Sequence, residues 1–241
     1  MSRILVISSD ILPLSGLPTT GAGLRAWGIG QGLASRGHEV VYSMPAAVLE
    51  GRQFTDAMIR EYAWTLGSLS RIIRLAKPDV VIACNWPVAA NIHDCPVPLV
   101  LDQHGPHLLE RQYQSAHRGF EENARSKRLA IQHADYFSCA GELQRLYFLP
   151  WLMLGGFQFD EERVCSIPVS LSPDLPLHEF SDEVTFVYGG VFLPWQDPRN
   201  GLEAVLAELD QRQQGQLKFF GGRHPVFQVD VGLFGELQTR L

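Results

Sequence analysis

Two groups of residues in this chain have types and spacing that could do chemistry. The first is Thr20-Gly21-Ala22-Gly23 with Arg25, a glycine-bearing loop running into a helix. Small residues let a ligand approach the backbone, helix N-terminal N–H groups attract anions, and a guanidinium adds a fork of donors, so this group suits an anionic ligand. The second is Asp102-Gln-His104-Gly-Pro-His107, a carboxylate and two imidazoles close in sequence. Such a group can hydrogen-bond a ligand, steady charge at a reacting centre or ligate a metal. Asn85-Trp86-Pro87 offers an amide and an indole, and Gly141-Glu142-Leu-Gln144 offers a carboxylate and an amide at a helix start.

These residues share one place in the elements that must position them. Short apolar or β-branched runs predict strands at Ile4–Ile7, Glu39–Ser43, Asp79–Cys84, Leu99–Asp102, Tyr136–Cys139 and Val164–Ile167. Helix-length patterns lie between them, at Gly23–Ser35, Thr55–Ala76, His107–His133 and Gly141–Leu154. Alternating β and α elements predict a mostly parallel sheet with helices on both faces. Every candidate above follows a strand, at the carboxyl edge where open α/β sheets bind ligands. His38 and Glu39 enter a strand at the opposite edge and read as structural.

After the sixth strand the grammar breaks. Residues 169–182 are rich in proline and serine and have no sustained period, as an interdomain linker does. The expected organisation is a domain over 1–168, a linker over 169–183 and the start of a second α/β domain over 184–241. Strand Val184–Tyr188 opens into Gly189-Gly190, a helix covers Arg199–Leu209, and strand Leu217–Phe220 ends in Gly221-Gly222. A two-strand start leaves faces and edges open, so a longer chain is expected to complete it.

Composition excludes several function classes. With 46% hydrophobic residues over 241 positions the chain can bury a full core, and a net charge of −6 with interspersed signs gives no footprint for nucleic acid. The apolar run after Met1 is too short for a signal peptide. Cys84, Cys95, Cys139 and Cys165 form no CxxC pair and read as small buried hydrophobes in a reducing compartment. A cytoplasmic protein is expected, with the inner face of the membrane as the alternative. Tyr147–Leu154 is apolar but too short to span a bilayer, and burial against the sheet is favoured over interfacial membrane contact. A strict GxGxxG after the first strand is missing, and Val41-Tyr-Ser-Met44 supplies no ribose-binding acid, which argues against another nucleotide-dependent Rossmann enzyme such as an epimerase or dehydrogenase.

The glycine loop, Leu33-Ala-Ser-Arg-Gly-His-Glu-Val40, Lys77-Pro-Asp-Val-Val81, Val100-Leu-Asp-Gln-His-Gly105, Ala134-Asp-Tyr-Phe-Ser138 and Tyr188-Gly-Gly190 occur in an order and spacing that resemble a family 4-type glycosyltransferase of the GT-B fold. The resemblance spans the first domain and the opening of the second. It implies a Rossmann-like, doubly wound parallel sheet on the acceptor side, followed by the βαβ start of a donor-binding domain across a cleft. The implied reaction is retaining transfer of a sugar from a nucleotide-sugar donor to a glycan, lipid-linked or small-molecule acceptor, with no cofactor or bound metal. Peripheral membrane contact and self-association are further expectations.

On this resemblance His104 is the catalytic candidate, facing the donor sugar. Gly21, Ala22, Gly23, Arg25, Gly190 and Arg199 would lie near the donor diphosphate. Asn85, Trp86, Asp102 and Glu142 would contact acceptor or sugar. The competing readings are a glycine turn with a solvated arginine, a structural histidine, an indole capping the core and a helix-capping carboxylate. In one respect the sequence departs from such enzymes: Val191 and Gln196 stand where they carry an arginine and a lysine, leaving Arg199 or Arg223 to replace those charges. A non-catalytic GT-B-like domain that binds a ligand or partner is the alternative to a transferase.

Overall fold

The chain is described here from a computed structural model, over residues 1–50, 56–114, 119–158, 160–169, 183–191, 193, 197–222 and 235–236. Two compact units divide it, residues 1–109 with 119–173 and residues 110–118 with 174–241.

Six short strands build the first unit: β1 (Arg3–Ile7), β2 (Glu39–Ser43), β3 (Val80–Cys84), β4 (Leu99–Gln103), β5 (Tyr136–Cys139) and β6 (Val164–Ser166). They form one sheet in the order β2-β1-β3-β4-β5-β6, every neighbouring pair parallel. The chain runs from β1 outward to β2 and returns to place β3 on the other side of β1. That reversal puts a topological switch point at the carboxyl ends of β1 and β3.

Helices α1 (Gly21–Ala34), α2 (Ala57–Glu61), α3 (Leu69–Ala76), α4 (Trp86–Ala89), α5 (His107–Gln114), α6 (Phe120–His133) and α7 (Glu142–Leu154) connect the strands. Strand periodicity sends alternate side chains to opposite faces, and each face has its own core. Leu5, Ile7, Leu99 and Leu101 pack with α3, α4, α6 and α7. Ile4, Val6 and Ile82 pack with Ala26 of α1 on the other face. Burial on both faces explains why these strands read as continuous apolar runs.

Several sequence expectations are corrected. The pattern at Thr55–Ala76 is not one helix, and residues 51–55 lie outside the described residues. Trp64 breaks the run: it bridges to Pro45, its N–H donates to the Met44 carbonyl at 2.9 Å and its indole Nε1 to the Ser8 carbonyl at 2.8 Å. The chain restarts through a Thr65/Ser68 capping box. His107–His133 likewise splits into α5 and α6, the latter entered through Gly119 at φ 76, a conformation that favours glycine. Trp86-Pro87 opens the short α4, with Asn85 as its N-cap. Cys165 is exposed, whereas Cys84 and Cys139 are buried, and all four thiols are free.

The second unit contains β7 (Thr185–Val191), α8 (Arg199–Arg212) and β8 (Gln216–Gly222), with β7 and β8 parallel. Here the glycine pairs continue the strands instead of ending them, Gly190 standing opposite Gly221. Leu202 of α8 is buried against Tyr188, Leu217 and Phe219. Val187 and Phe220 are each 64% exposed. Residues 170–182 of the expected linker 169–183, Gln196 and Arg223 lie outside the described residues. Among the described residues no helix is long and apolar enough to cross a membrane. Phe148, Leu149 and Leu152 of α7 are buried as expected, while Leu143, Leu146, Met153 and Leu154 are exposed.

Candidate functional site

The carboxyl edge of the first sheet gathers a connected polar cluster around Asp102. Its carboxylate has no exposed surface, and a buried charge must be paired and hydrogen-bonded. Arg25, reaching in from α1, supplies the partner through a fork: Nε donates to Oδ2 and Nη2 to Oδ1, both at 2.8 Å. Ser138, opposite Asp102 in the β4–β5 register, donates its hydroxyl to Oδ1 at 2.7 Å. The remaining side of Oδ2 faces Nδ1 of His104 at 3.5 Å. Burial by itself would raise the Asp102 carboxyl, but the adjacent His104 ring, the Arg25 hydrogen bonds and the guanidinium charge outweigh it and hold it at about 2.

The cluster continues through the imidazoles to β3. His104 and His107 rings meet edge-on with centroids 5.5 Å apart. Asn85 Nδ2 lies 3.2 and 3.1 Å from the two ring nitrogens of His107, so one of them accepts. Asn85 Oδ1 accepts from the Trp86 N–H at 2.8 Å, and the Asn85 N–H donates to the Asp102 carbonyl at 2.8 Å. Its backbone, at φ 83 and ψ 149, occupies a region almost reserved for glycine. Strain of this kind costs about 1–3 kcal/mol and collects at functional sites, where the surroundings over-determine it.

Each sequence candidate now has a place. His104, Asp102 and Asn85 are brought together with His107. Arg25 fits neither sequence reading: it is not solvated, and it does not offer its guanidinium to a diphosphate, because Nη1 donates to the Ile167 carbonyl at 2.8 Å and the other two nitrogens hold Asp102. Trp86, 4% exposed, belongs to the core and is no acceptor surface. Glu142 is exposed in the first turn of α7 and ion-paired with Arg145, which lowers its carboxyl. Arg199 is paired with Asp197 at 2.6 Å, and Gly190 is exposed within β7.

The glycine loop divides by role. Gly23 is buried, donates its N–H to the Thr20 hydroxyl at 3.2 Å, and has no room for a side chain, since a Cβ would stand 1.6 Å from the Ile11 carbonyl oxygen. It is a packing glycine. Gly21 opens onto free space, and Gly21 and Ala22 carry the first two N–H groups of α1, which neither the helix nor its cap uses.

Three functional-looking side chains escaped the sequence reading. Ser138 is one. Gln103 points to the face opposite Asp102 and is buried, with neither amide atom hydrogen-bonded among the described residues. Lys127 of α6 is buried with Nζ 4.6, 4.7 and 4.3 Å from the ring centroids of Tyr147, Phe148 and Trp151. Desolvation pushes its ammonium down to about 7, and the three ring faces oppose that shift by cation–π attraction. The available signal was a charge in an apolar stripe: Asp102 ends Leu99-Val-Leu, and Lys127 precedes Ala130 and Ile131 by one turn. Among the described residues no three His, Cys, Asp or Glu side chains are arranged to hold a metal ion.

No protein-family model matches the sequence, and no curated protein matches it. Solved structures do. The catalytic domain of starch synthase IV from Arabidopsis thaliana, bound to ADP and acarbose, aligns with a TM-score of 0.62 at 11% identity, over 99% of this chain and 71% of that one. The UDP-GlcNAc 2-epimerase from Methanocaldococcus jannaschii aligns with a TM-score of 0.51 at 11% identity, over 98% of this chain and 70% of that one. Identity this low speaks for the fold alone, and the chain has the GT-B, Rossmann-like α/β fold of these neighbours.

Proposed function

We propose that the chain belongs to a family 4-type glycosyltransferase, moving a sugar from a nucleotide-sugar donor to a glycan, lipid-linked or small-molecule acceptor with retention. The observation that carries this reading is the Asn85–Asp102–His104–His107 cluster at the carboxyl edge of β3 and β4, beside a topological switch point in a GT-B fold. Imidazole and amide groups anchored to a rigid sheet suit a polyhydroxylated ligand, because each can accept or donate to a hydroxyl. His104 is the residue assigned to the sugar. In this reading residues 1–168 form the acceptor-side domain, 169–183 the linker and 184–241 part of the donor side.

The test is titration of the protein with UDP-glucose, UDP-N-acetylglucosamine, ADP-glucose and GDP-mannose, followed by ligand-observed NMR, and then transfer assays with the longest native chain. Saturable binding of one donor, weakened at least tenfold by His104→Ala, supports the reading. No binding and no transfer across the set overturns it.

One observation favours a second reading, a non-catalytic GT-B-like binding domain. Arg25 and Arg199 are both paired with carboxylates, and Val191 stands where an arginine is expected, so the cations that the sequence assigns to a diphosphate are engaged elsewhere or replaced. Sugar binding without nucleotide dependence would select it.

A further inference from the structure

Asp102 has a geometry that reaches beyond its own burial. An ionised carboxylate is an acceptor only, with roughly four lone-pair directions. Three are occupied: Oδ1 accepts from Arg25 Nη2 and Ser138 Oγ, and Oδ2 accepts from Arg25 Nε. The fourth, on Oδ2, carries no hydrogen bond, and His104 Nδ1 lies 3.5 Å from that oxygen. Asp102 is the penultimate residue of β4 and His104 follows the strand's end, with its ring brought beside the carboxylate. The anion beside Nδ1 repels a lone pair there and favours a proton. That choice leaves the lone pair of a neutral imidazole on Nε2. Both ring nitrogens are buried and neither completes a hydrogen bond among the described residues, Nδ1 standing 3.5 Å from Oδ2 and Nε2 having no polar neighbour that it bonds.

We infer that Asp102, backed by Arg25 and Ser138, is a positioning residue that fixes His104 in its Nδ1–H tautomer and so makes Nε2 an acceptor for a ligand hydroxyl. The ligand part of this inference rests on the glycosyltransferase reading; the tautomer part does not. Arg25 and Ser138 serve the arrangement indirectly. By occupying three of the four directions they keep the carboxylate charged and rotationally locked, with Oδ2 beside the ring. Neutral His104 then accepts from a sugar hydroxyl and cannot use Nε2 to donate to a phosphate oxygen.

The experiment is long-range proton–nitrogen correlation NMR on the whole chain labelled with nitrogen-15 histidine, at a pH where His104 is neutral, with His104→Gln to assign the ring. The expected spectrum shows a proton on Nδ1 and an unprotonated Nε2. A proton on Nε2 in the unaltered protein overturns the inference. Asp102→Leu combined with Arg25→Met removes the ion pair without leaving an orphan charge, and its fold is checked by the remaining histidine signals. In that variant His104 is expected to move to the Nε2–H form that an unconstrained histidine side chain prefers; persistence of Nδ1–H in a folded double variant also overturns it. Should the double variant fail to fold, Ser138→Ala serves, with a partial shift of the Nδ1 resonance expected and an unchanged resonance counting against the inference. The nucleotide-sugar titration reads separately: donor binding with an Nε2–H ring sinks the positioning role alone, and an Nδ1–H ring without donor binding sinks the transferase alone.

Discussion

The six-stranded sheet of the first unit and the βαβ pair of the second are written in the same sequence grammar, yet they bury charge and surface in opposite ways. In the first, helices cover both faces, Val81, Leu99 and Leu101 are fully buried, and an arginine–aspartate pair sits inside. In the second, α8 packs on the strands, and among the described residues Val187 and Phe220 stay 64% exposed while the Arg199–Asp197 and Arg212–Glu208 pairs lie on the surface. An apolar run therefore announces a parallel strand without saying how many layers cover it. The layers decide what a buried polar group costs and what it can position.

Substitution should separate the two regions most sharply at their arginines. Arg25→Met leaves Asp102 as an uncompensated buried charge and is expected to destabilise the first unit by about 3–5 kcal/mol in urea unfolding. Arg199→Met, at a pair open to solvent, should leave the midpoint unmoved. The pH dependence follows the same pair. Because the folded Asp102 carboxyl is held at about 2 against an ordinary 3.8, its contribution is complete above about pH 4 and is lost as pH falls toward 2. Acid unfolding of Arg25→Met should be displaced to higher pH. Equal effects at the two arginines would erase the contrast.

Core truncation comes next. Leu101→Ala is expected to cost about 2–5 kcal/mol, since β4 is packed on both sides. Gly23→Ala drives a methyl into the Ile11 carbonyl and should cost about 1–3 kcal/mol in thermal melts. Gly21→Ala, two residues earlier and in open space, should instead gain about 0.4–1 kcal/mol. The smallest effect is expected on the open face of the second unit, where Val187→Thr should stay within about 0.5 kcal/mol. A loss of 2 kcal/mol or more there, about the least a core truncation costs, would mean that this face is covered in solution.

Strand existence and order were legible in the sequence because burial on both faces writes each strand as an apolar run. Helix continuity was less so. The break at Trp64 depends on hydrogen bonds to Met44 and Ser8, which no local pattern announces. The position of these residues on the sheet was legible and their wiring was not. His104 and Asn85 were expected at the carboxyl edge of the sheet and lie at that edge, but the partner that neutralises Asp102 is 77 positions away. Arg25 looked like a ligand group because it follows a glycine loop. The loop's buried glycine serves close packing, and the arginine points inward past it. Trp86 misled in the opposite direction, since an indole after a strand serves equally well as surface or as core.

The hydrogen bond from Arg25 to the Ile167 carbonyl also has a mechanical side. Ile167 follows the three-residue edge strand β6, which on its own would peel from the sheet under little force. Tension applied to the chain beyond residue 167 is instead passed through the guanidinium to Asp102 in the middle of the sheet and to α1. In a pulling experiment the first unit should yield in a single step at the strength of its interior, and Arg25→Lys should turn that step into a gradual unzipping from the edge.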